Sequence, residues 1–306
     1  MAIGIGIGIA NRQEVVHKGI TTVGTIAIVL PALAAPVLAA DGHLGYGTAA
    51  LALPALAAPV LAATGTLGLG TAAVVLPALA DPVVAATADP FVPWDLPNCI
   101  VALRADLGIT LNGANVAAWA DQTGLGNNVA QAVAANQPLY SAAGGPNGTP
   151  YVSGDGINDS LNAVFVLAQP EHVFAVCLPA AAFVAYDYFL DGDNPGAMAW
   201  GYHPTGAKIL QRGGASTIEI ASVLTAWQWV DGVFDGANSK IRVNGAGTVT
   251  GNPGTSSGNG LTLFSFGDQA QRWGDASFAE VVVFTAELTG NAYTLMDWYI
   301  NARYSL

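Results

Sequence analysis

A 23-residue repeat near the start of the chain limits its possible folds more than any other feature. Three units open with Gly-Thr, at Gly24, Gly47 and Gly70, and a Leu-Pro-Ala-Leu-Ala stretch follows in each. Two prolines recur in every unit, at positions 31 and 36, 54 and 59, and 77 and 82. Because proline blocks a helix and pushes the preceding residue towards extended backbone, each unit is expected to be strand or polyproline-like. The fixed period indicates one structural module used three times.

The repeat region consists largely of Ala, Leu, Val, Gly and Pro and is almost uncharged. Such a segment has few large side chains with which to build its own core, so it is expected to need a partner. We interpret residues 1–23 as an N-terminal anchor and residues 24–90 as a stalk or assembly strip. In this interpretation identical chains wrap together, or the strip is laid into a larger assembly. A monomeric β-solenoid and a low-complexity linker are the alternatives.

The composition favours an all-β protein. Charged residues make up 10% of the 306 residues, and there are 37 glycines. An average globular protein carries roughly 25% charged residues, and helices need such residues on their solvent faces. Few charges with abundant Gly, Thr, Val and aromatic residues are typical of short strands joined by turns.

The charge and the apolar stretches exclude two classes of partner. Nine Lys and Arg against 21 Asp and Glu give a net charge of −12, which opposes binding to nucleic acid. The Ala-rich apolar stretches each carry two prolines, so we expect no membrane insertion. Cys99 and Cys177 lie in apolar runs, and we expect buried thiols rather than a disulfide.

Residues 91–306 are predicted to form a separate domain, because Trp, Asn, Gln and Asp first become frequent there. Asn-Gly and Asp-Gly turn signals separate short strand-like runs. The predicted strands are Cys99 to Arg104, Val116 to Ala120, Val173 to Cys177, Thr217 to Val223, Gln228 to Phe234, Lys240 to Val243, Leu261 to Phe266 and Glu280 to Phe284. A short helix from about Thr289 to Tyr304 is expected to follow.

The order of motifs in residues 98–306 resembles the laminin-G-like, concanavalin A-like family, which is often found in phage and bacterial surface proteins. The stretch from Trp119 through Asp121 to Asn128 resembles the family's Trp-x-Asp-x-x-Gly-x-Gly-Asn pattern. Gly154 to Leu161 resembles its Asp-Gly-x-x-Asp-x-Leu hairpin, and Trp273 to Phe284 resembles its closing strand. The resemblance implies a jelly-roll sandwich of two antiparallel sheets with a concave face. It does not imply one activity, because function depends on the site.

The sequence lacks the catalytic string of the β-glucan hydrolases with this fold, in which two Glu and an Asp stand on one strand. The five glutamates, at 14, 171, 219, 280 and 287, have no acidic residue two positions further on. The four histidines are scattered, so no nucleophilic triad or zinc site is expected. We therefore predict that the chain is not an enzyme, and we assign Glu280 to a sheet edge or a turn.

Asp187, Asp191 and Asp193 form the strongest candidate metal site. They fall within one ten-residue stretch and could bind Ca²⁺ through their carboxylate oxygens, although a closing Glu is absent. A solvated acidic turn is the alternative. The loop with Asp155, Asn158 and Asp159 is the other candidate calcium site, and there hydrogen bonds from side chain to backbone are the simpler interpretation. No other cofactor is expected.

A sugar-binding site would combine exposed aromatic rings with amide and carboxylate groups, because pyranose faces stack on rings. Two stretches fit this description, and the candidate ligand-binding residues are Trp200, Tyr202, His203, Asp268, Arg272 and Trp273. The alternative is that Trp119, Trp227, Trp229 and Trp273 pack in the core.

An uncharged repeat fused to a lectin-like sandwich predicts a phage virion structural protein, either a capsid decoration protein or a fibre. In this hypothesis the repeats anchor a homo-oligomer, expected to be a trimer, on the major capsid or another virion protein. The sandwich is then displayed on the virion surface, where host glycans are possible partners. The alternatives are a carbohydrate-binding receptor module of a tail fibre and a secreted glycan hydrolase.

Overall fold

A computed structural model describes the backbone of seven strands within residues 14–90 and most of residues 91–306. From residue 91 onward the described ranges are 91–180, 186–203, 207–214 and 216–306. The chain divides into two compact units, residues 1–92 with 289–299 and residues 93–288 with 300–306.

Among the described residues before position 91 there are seven strands, one in the anchor segment and six in the repeat region. They are β1 (Glu14–Lys18), β2 (Ile26–Val29), β3 (Val37–Tyr46), β4 (Ala49–Ala52), β5 (Val60–Leu69), β6 (Ala72–Val75) and β7 (Val83–Pro90). One parallel sheet has the order β1-β3-β5-β7, and a second has the order β2-β4-β6. Each residue pairs with its equivalent one repeat later, as Val37 does with Val60 and Val60 with Val83. The 23-residue period of the sequence is therefore also the offset between paired residues in both sheets.

The described residues between 93 and 306 contain 17 strands and a C-terminal helix. The strands are β8 (Cys99–Arg104), β9 (Ile109–Asn112), β10 (Asn115–Trp119), β11 (Val129–Ala130), β12 (Leu139–Ser141), β13 (Tyr151–Ser153), β14 (Leu161–Val164), β15 (Glu171–Pro179), β16 (Tyr188–Asp191), β17 (Ala199–Tyr202), β18 (Lys208–Arg212), β19 (Thr217–Ala221), β20 (Gln228–Phe234), β21 (Ser239–Val243), β22 (Ala246–Gly251), β23 (Gly260–Leu263) and β24 (Ala276–Phe284). The helix α1 spans Gly290–Tyr304. Short 3-10 helices span Pro93–Asp95, Ala134–Asn136, Pro146–Gly148 and Gly236–Asn238.

These strands form one nearly closed antiparallel sheet. One run has the order β22-β21-β20-β15-β24-β8. A second run has the order β11-β14-β23-β16-β17-β18-β19. Strands β13, β12 and β10 connect the two runs through pairings with β24 and β11. The predicted all-β class is confirmed.

Aromatic rings from the two runs pack against each other in the core. Phe189 in β16 contacts Phe278 in β24, with ring centroids 6.2 Å apart. Trp200 in β17 stacks near Phe234 in β20 at 6.4 Å. All four rings are fully buried, so this contact between the runs contributes to the hydrophobic stabilisation of residues 93–306.

Asp121, the acidic residue of the Trp-x-Asp pattern, holds the loop that follows it. Its Oδ1 accepts hydrogen bonds from the backbone N–H groups of Ala102 (2.9 Å) and Thr123 (3.1 Å), and its Oδ2 accepts one from the Thr123 hydroxyl. Asn128 Oδ1 accepts a hydrogen bond from the backbone N–H of Asp121 at 2.8 Å. One nearly buried carboxylate therefore ties the 121–128 loop to strand β8.

Replacing Asp121 by alanine is expected to lower the free energy of unfolding by roughly 3 kcal/mol, because buried backbone donors lose a charged acceptor. Urea unfolding of the full chain measures this change. Asp268→Ala is the matched control, since the exposed Asp268 carboxylate binds only groups of its own turn, Ala270 and Gln271. Equal stabilities for the two variants would contradict the role assigned to Asp121.

The described residues confirm some local predictions and correct others. Strands β8 and β20 have the predicted bounds, and the predicted helix ends at Tyr304. Cys99 and Cys177 are free thiols, and Cys177 is buried as predicted, whereas Cys99 is only partly buried. Within the described residues no helix is long and apolar enough to cross a membrane.

Glu280 does not lie at a sheet edge or in a turn, contrary to the prediction. It lies in β24, which pairs with β15 on one side and β8 on the other, and it is 2% exposed. The Tyr304 hydroxyl donates a hydrogen bond to its Oε2. A buried carboxylate is tolerated in the sheet because α1 supplies this donor.

Candidate functional site

Trp200 and Tyr202 lie in the core and cannot stack on a sugar, contrary to the prediction. Both are fully buried in β17. The Trp200 indole N–H donates to Gln211 Oε1 at 3.1 Å, and the Tyr202 hydroxyl donates to the carbonyl oxygen of Asp275. The prediction was wrong because alternation along the strand does not identify a strand that is covered on both faces.

His203 and Asp268 do not converge with these rings. His203 Nε2 lies 2.9 Å from Glu219 Oε1, in a group that also contains Lys208. Asp268 is exposed in the loop between β23 and β24 and accepts the Gln271 side-chain amide at 2.7 Å. Of the six predicted sugar-binding residues, the three that share this loop are Asp268, Arg272 and Trp273.

Asp187, Asp191 and Asp193 are not arranged as a calcium site. Asp191 is fully buried, and its two oxygens accept backbone N–H groups of Gly192 (2.8 Å), Gly196 (2.7 Å) and Gly267 (3.0 Å). In the described part of the chain no three His, Cys, Asp or Glu side chains form a group that could hold a metal ion. The acidic stretch was interpreted as a loop, but Asp191 ends the buried strand β16, where backbone donors satisfy its carboxylate.

Two loops meet at one place on residues 93–306, and we call this surface the two-loop face. The 154–160 loop joins β13 to β14, and the 266–275 loop leads into β24. The Ser160 hydroxyl donates to Gln269 Oε1 at 3.3 Å. A Cβ on Gly156 would lie 2.9 Å from the Cβ of Asp275, so only glycine allows this approach without a shift.

Three carboxyl groups belong to the two loops of this face, where Asp155 is exposed, Asp275 is half-buried and Asp159 is buried. Asp155 Oδ1 accepts the backbone N–H groups of Ile157 (2.8 Å) and Asn158 (3.2 Å). Asp159 Oδ2 accepts the backbone N–H of Asp155 at 3.0 Å. The predicted hydrogen bonds from side chain to backbone are therefore present in this loop.

The three carboxyl groups influence one another electrostatically. Burial raises the pKa of Asp159 to about 6, with a further contribution from the negative charge of Asp155. Burial also raises the pKa of Asp275, and Asp155 again adds to the shift. The face thus holds a buried carboxyl group with a pKa of about 6 beside an exposed carboxylate.

Two aromatic rings and two arginines lie close together at the 266–275 loop. The Phe266 ring lies 5.1 Å from the Tyr188 ring. The guanidinium carbon of Arg272 lies 5.7 Å from the Phe266 centroid, and that of Arg212 lies 6.0 Å from it. We call Tyr188, Arg212, Phe266 and Arg272 the arginine–aromatic group.

Some residues in or next to these loops have strained backbone. Tyr186, Phe264, Gln269 and Arg272 have positive φ angles of 66°, 67°, 54° and 57°. Such conformations cost roughly 1–3 kcal/mol each for residues other than glycine and are frequent at functional sites. Phe264 is held there by Gly154, where an added Cβ would lie 2.7 Å from the Phe264 ring.

Sequence reasoning missed most of this site. Asp155 and Asp159 were considered only as a second calcium candidate or as turn residues. Phe266 was placed at the end of a predicted strand, and Asp275 was placed in the stretch that resembles the closing strand. The Trp-Gly-Asp stretch at 273–275 was a usable signal, because it places a polar loop directly before a buried strand. Arg212 had no signal, since it ends a strand that was not predicted.

Comparison with known proteins finds no matching family model and no matching curated protein. Solved structures do resemble the chain. One is a Trypanosoma rangeli sialidase, with 11% identity, a TM-score of 0.48, and a match covering 68% of this chain and 33% of that chain. Another is an arabinofuranosidase complexed with arabinofuranosyl-alpha-1,2-xylobiose, with 16% identity, a TM-score of 0.47, and coverage of 62% and 51%. The match spans a third of the first protein and about half of the second.

These comparisons contradict two predictions, namely that the chain is a phage virion structural protein and that it is not an enzyme. The similar structures are a sialidase and an arabinofuranosidase, which are glycosidases. The sequence analysis had considered only acidic residues that stand together on one strand. In the folded chain the 154–160 and 266–275 loops bring Asp155 and Asp275 together from distant positions.

Proposed function

We propose that residues 93–306 hydrolyse a glycosidic bond on the two-loop face. The observation that carries this proposal is the set of three carboxyl groups on two touching loops, where burial and the charge of Asp155 raise the pKa of Asp159 to about 6. Glycoside hydrolysis requires one carboxyl group that donates a proton and one that is ionised. Different environments give the two groups of such a pair different pKa values.

In the proposed reaction Asp159 donates its proton to the glycosidic oxygen as the bond to the anomeric carbon breaks. Asp155 is the exposed carboxylate, which either removes a proton from the attacking water or attacks the anomeric carbon itself. Water supplies the hydroxyl group on the new reducing end. The negative charge of Asp275 stabilises the positive charge that develops on the sugar ring.

The experiment is release of 4-nitrophenol from a panel of 4-nitrophenyl glycosides by the full-length chain. Asp155→Asn and Asp159→Asn are expected to lower kcat/KM for a cleaved glycoside by about 100-fold or more, because each removes one half of the acid–base pair. Activity of the unaltered chain is expected to fall above about pH 6 as Asp159 loses its proton. Asp235→Asn is the control, since Asp235 borders the 3-10 helix after β20 and binds Asn238. No hydrolysis of any glycoside, or equal loss in the control, would overturn the proposal.

We also propose the finer fold assignment, a laminin-G-like jelly roll for residues 93–306. Support comes from ring packing between the two strand runs and from the hydrogen bonds of Asp121 in the Trp-x-Asp pattern.

A self-associating repeat region stays a prediction, and sedimentation of the full chain measures its oligomeric state.

A further inference from the structure

Two arginines differ from the other cationic residues between 93 and 306 in their ion pairing. This part of the chain has seven Lys and Arg residues. Five of them have an ion-pair partner, and these are Arg104, Lys208, Lys240, Arg242 and Arg303. Among the described residues, neither Arg212 nor Arg272 has a carboxylate within ion-pair distance. The chain carries a net charge of −12, so acidic partners for both are abundant.

The two arginines share one aromatic ring. Both guanidinium carbons lie within 6.0 Å of the Phe266 centroid, although they come from the end of β18 and from the 266–275 loop. The Phe266 ring offers cation–π attraction to each guanidinium. Arg272 has a left-handed backbone, a strained conformation that the loop nevertheless maintains at this residue.

Both guanidinium groups keep hydrogen-bond donors for a ligand. Arg212 donates from Nε to the Gly214 carbonyl at 2.9 Å and from Nη1 to the Tyr188 hydroxyl at 3.3 Å. Arg272 donates from Nη1 to the Tyr186 carbonyl at 3.3 Å. A guanidinium has five N–H donors, and its planar fork matches the two oxygens of a carboxylate or sulfate group.

We infer that the arginine–aromatic group binds an acidic sugar, one that bears a carboxylate or a sulfate ester, so that the substrate of the two-loop face is an anionic glycan. This inference rests on the proposed function, because it names the substrate class of the same face. The acidic group contacts Arg212 and Arg272, while the exposed Tyr186 and the half-buried Trp273 beside them offer apolar surface to the sugar ring.

The test is calorimetric titration of the full-length chain at low salt with three oligosaccharides of equal length. These are an oligogalacturonate, a sulfated galactan oligosaccharide and a neutral cello-oligosaccharide. We expect at least one acidic oligosaccharide to bind about tenfold more tightly than the neutral one, because charge-assisted hydrogen bonds add to the contact. Which of the two acidic oligosaccharides binds shows whether the site recognises a carboxylate or a sulfate ester.

Arg272→Gln and Arg212→Gln are each expected to weaken that binding about tenfold. The matched control is Lys208→Gln, which also removes one positive charge but at the Glu219 ion pair. Far-ultraviolet circular dichroism checks that each variant folds, and either arginine variant alone is sufficient for the test. Equal affinity for neutral and acidic oligosaccharides, or an equal loss in Lys208→Gln, would overturn the inference.

The two proposals can fail separately. Acidic oligosaccharides that bind through the arginines but are never cleaved would support the binding inference and overturn the hydrolase proposal. Hydrolysis confined to neutral glycosides would support the hydrolase proposal and overturn the binding inference.

Discussion

Replacing Glu171 by glutamine is expected to remove a large part of the pH dependence of the free energy of unfolding between about pH 4.5 and about pH 7. Glu171 begins β15 and is fully buried. Its Oε1 accepts the Gly258 N–H at 2.9 Å, and its Oε2 has no hydrogen-bond partner among the described residues. A charged form in this position is therefore poorly solvated.

The sign of the effect follows from where the protons bind. Burial raises the pKa of Glu171 from 4.5 to about 7, the Gly258 N–H opposes the shift, and the charge of Asp191 adds to it. Between these pH values the folded chain holds a proton that the unfolded chain has lost. The free energy of unfolding therefore falls as pH rises through this window, by on the order of 3 kcal/mol for this group, and levels off above it.

The measurement is urea unfolding of the full chain and the Glu171→Gln variant at about pH 5 and about pH 8. Because His172 is buried with a lowered pKa, it contributes in the opposite direction, and the comparison is therefore made between the two proteins. Leu167→Ala is the control, since it removes a buried side chain but leaves the carboxyl group in place. Parallel pH profiles for Glu171→Gln and the unaltered chain would contradict the assignment.

Replacing Trp200 by alanine is expected to lower the free energy of unfolding by roughly 4 kcal/mol, a large part of the total for one domain. The indole is fully buried beside Phe234 and donates to Gln211 Oε1, while Gln211 Nε2 donates to the Val233 carbonyl at 2.8 Å. A Cβ on Gly232 would lie 2.7 Å from the indole, so the ring fills its space closely. The cavity left by alanine cannot close easily.

Thermal and urea unfolding measure this loss, and Val223→Ala, at a side chain that is 62% exposed, is expected to change stability by about 0.5 kcal/mol or less. Trp200→Phe keeps a ring but leaves Gln211 Oε1 without its donor, and an intermediate loss is expected. A stable Trp200→Ala variant that has lost glycan binding would restore the original sugar-stacking prediction.

Some features of the candidate site could be predicted from the sequence, and others could not. Asp155 and Asp159 are four positions apart in a turn pattern, so their closeness was predictable. Asp275 joins them only because β13 pairs with β24 at Val152 and Phe278. A raised pKa depends on burial and on neighbouring charges, and neither quantity is contained in a local pattern.

The sequence by itself determined the features that arise within a few residues. Proline and glycine spacing determined the extended repeat and its 23-residue register, which the parallel pairing of Val37 with Val60 reproduces. The Trp-x-Asp pattern determined the loop held by Asp121. These features depend on backbone geometry and on short-range hydrogen bonds, which act the same way wherever the segment lies.

Only the tertiary structure decided which polar and aromatic side chains face solvent and which meet. It buried Trp200 and Asp191, which the sequence had suggested as ligand-binding residues. It also brought Arg212 and Arg272 to the same Phe266 ring. The physical reason is that burial and charge proximity depend on strands that are distant along the chain. The sequence around one strand does not show which distant strands pair with it.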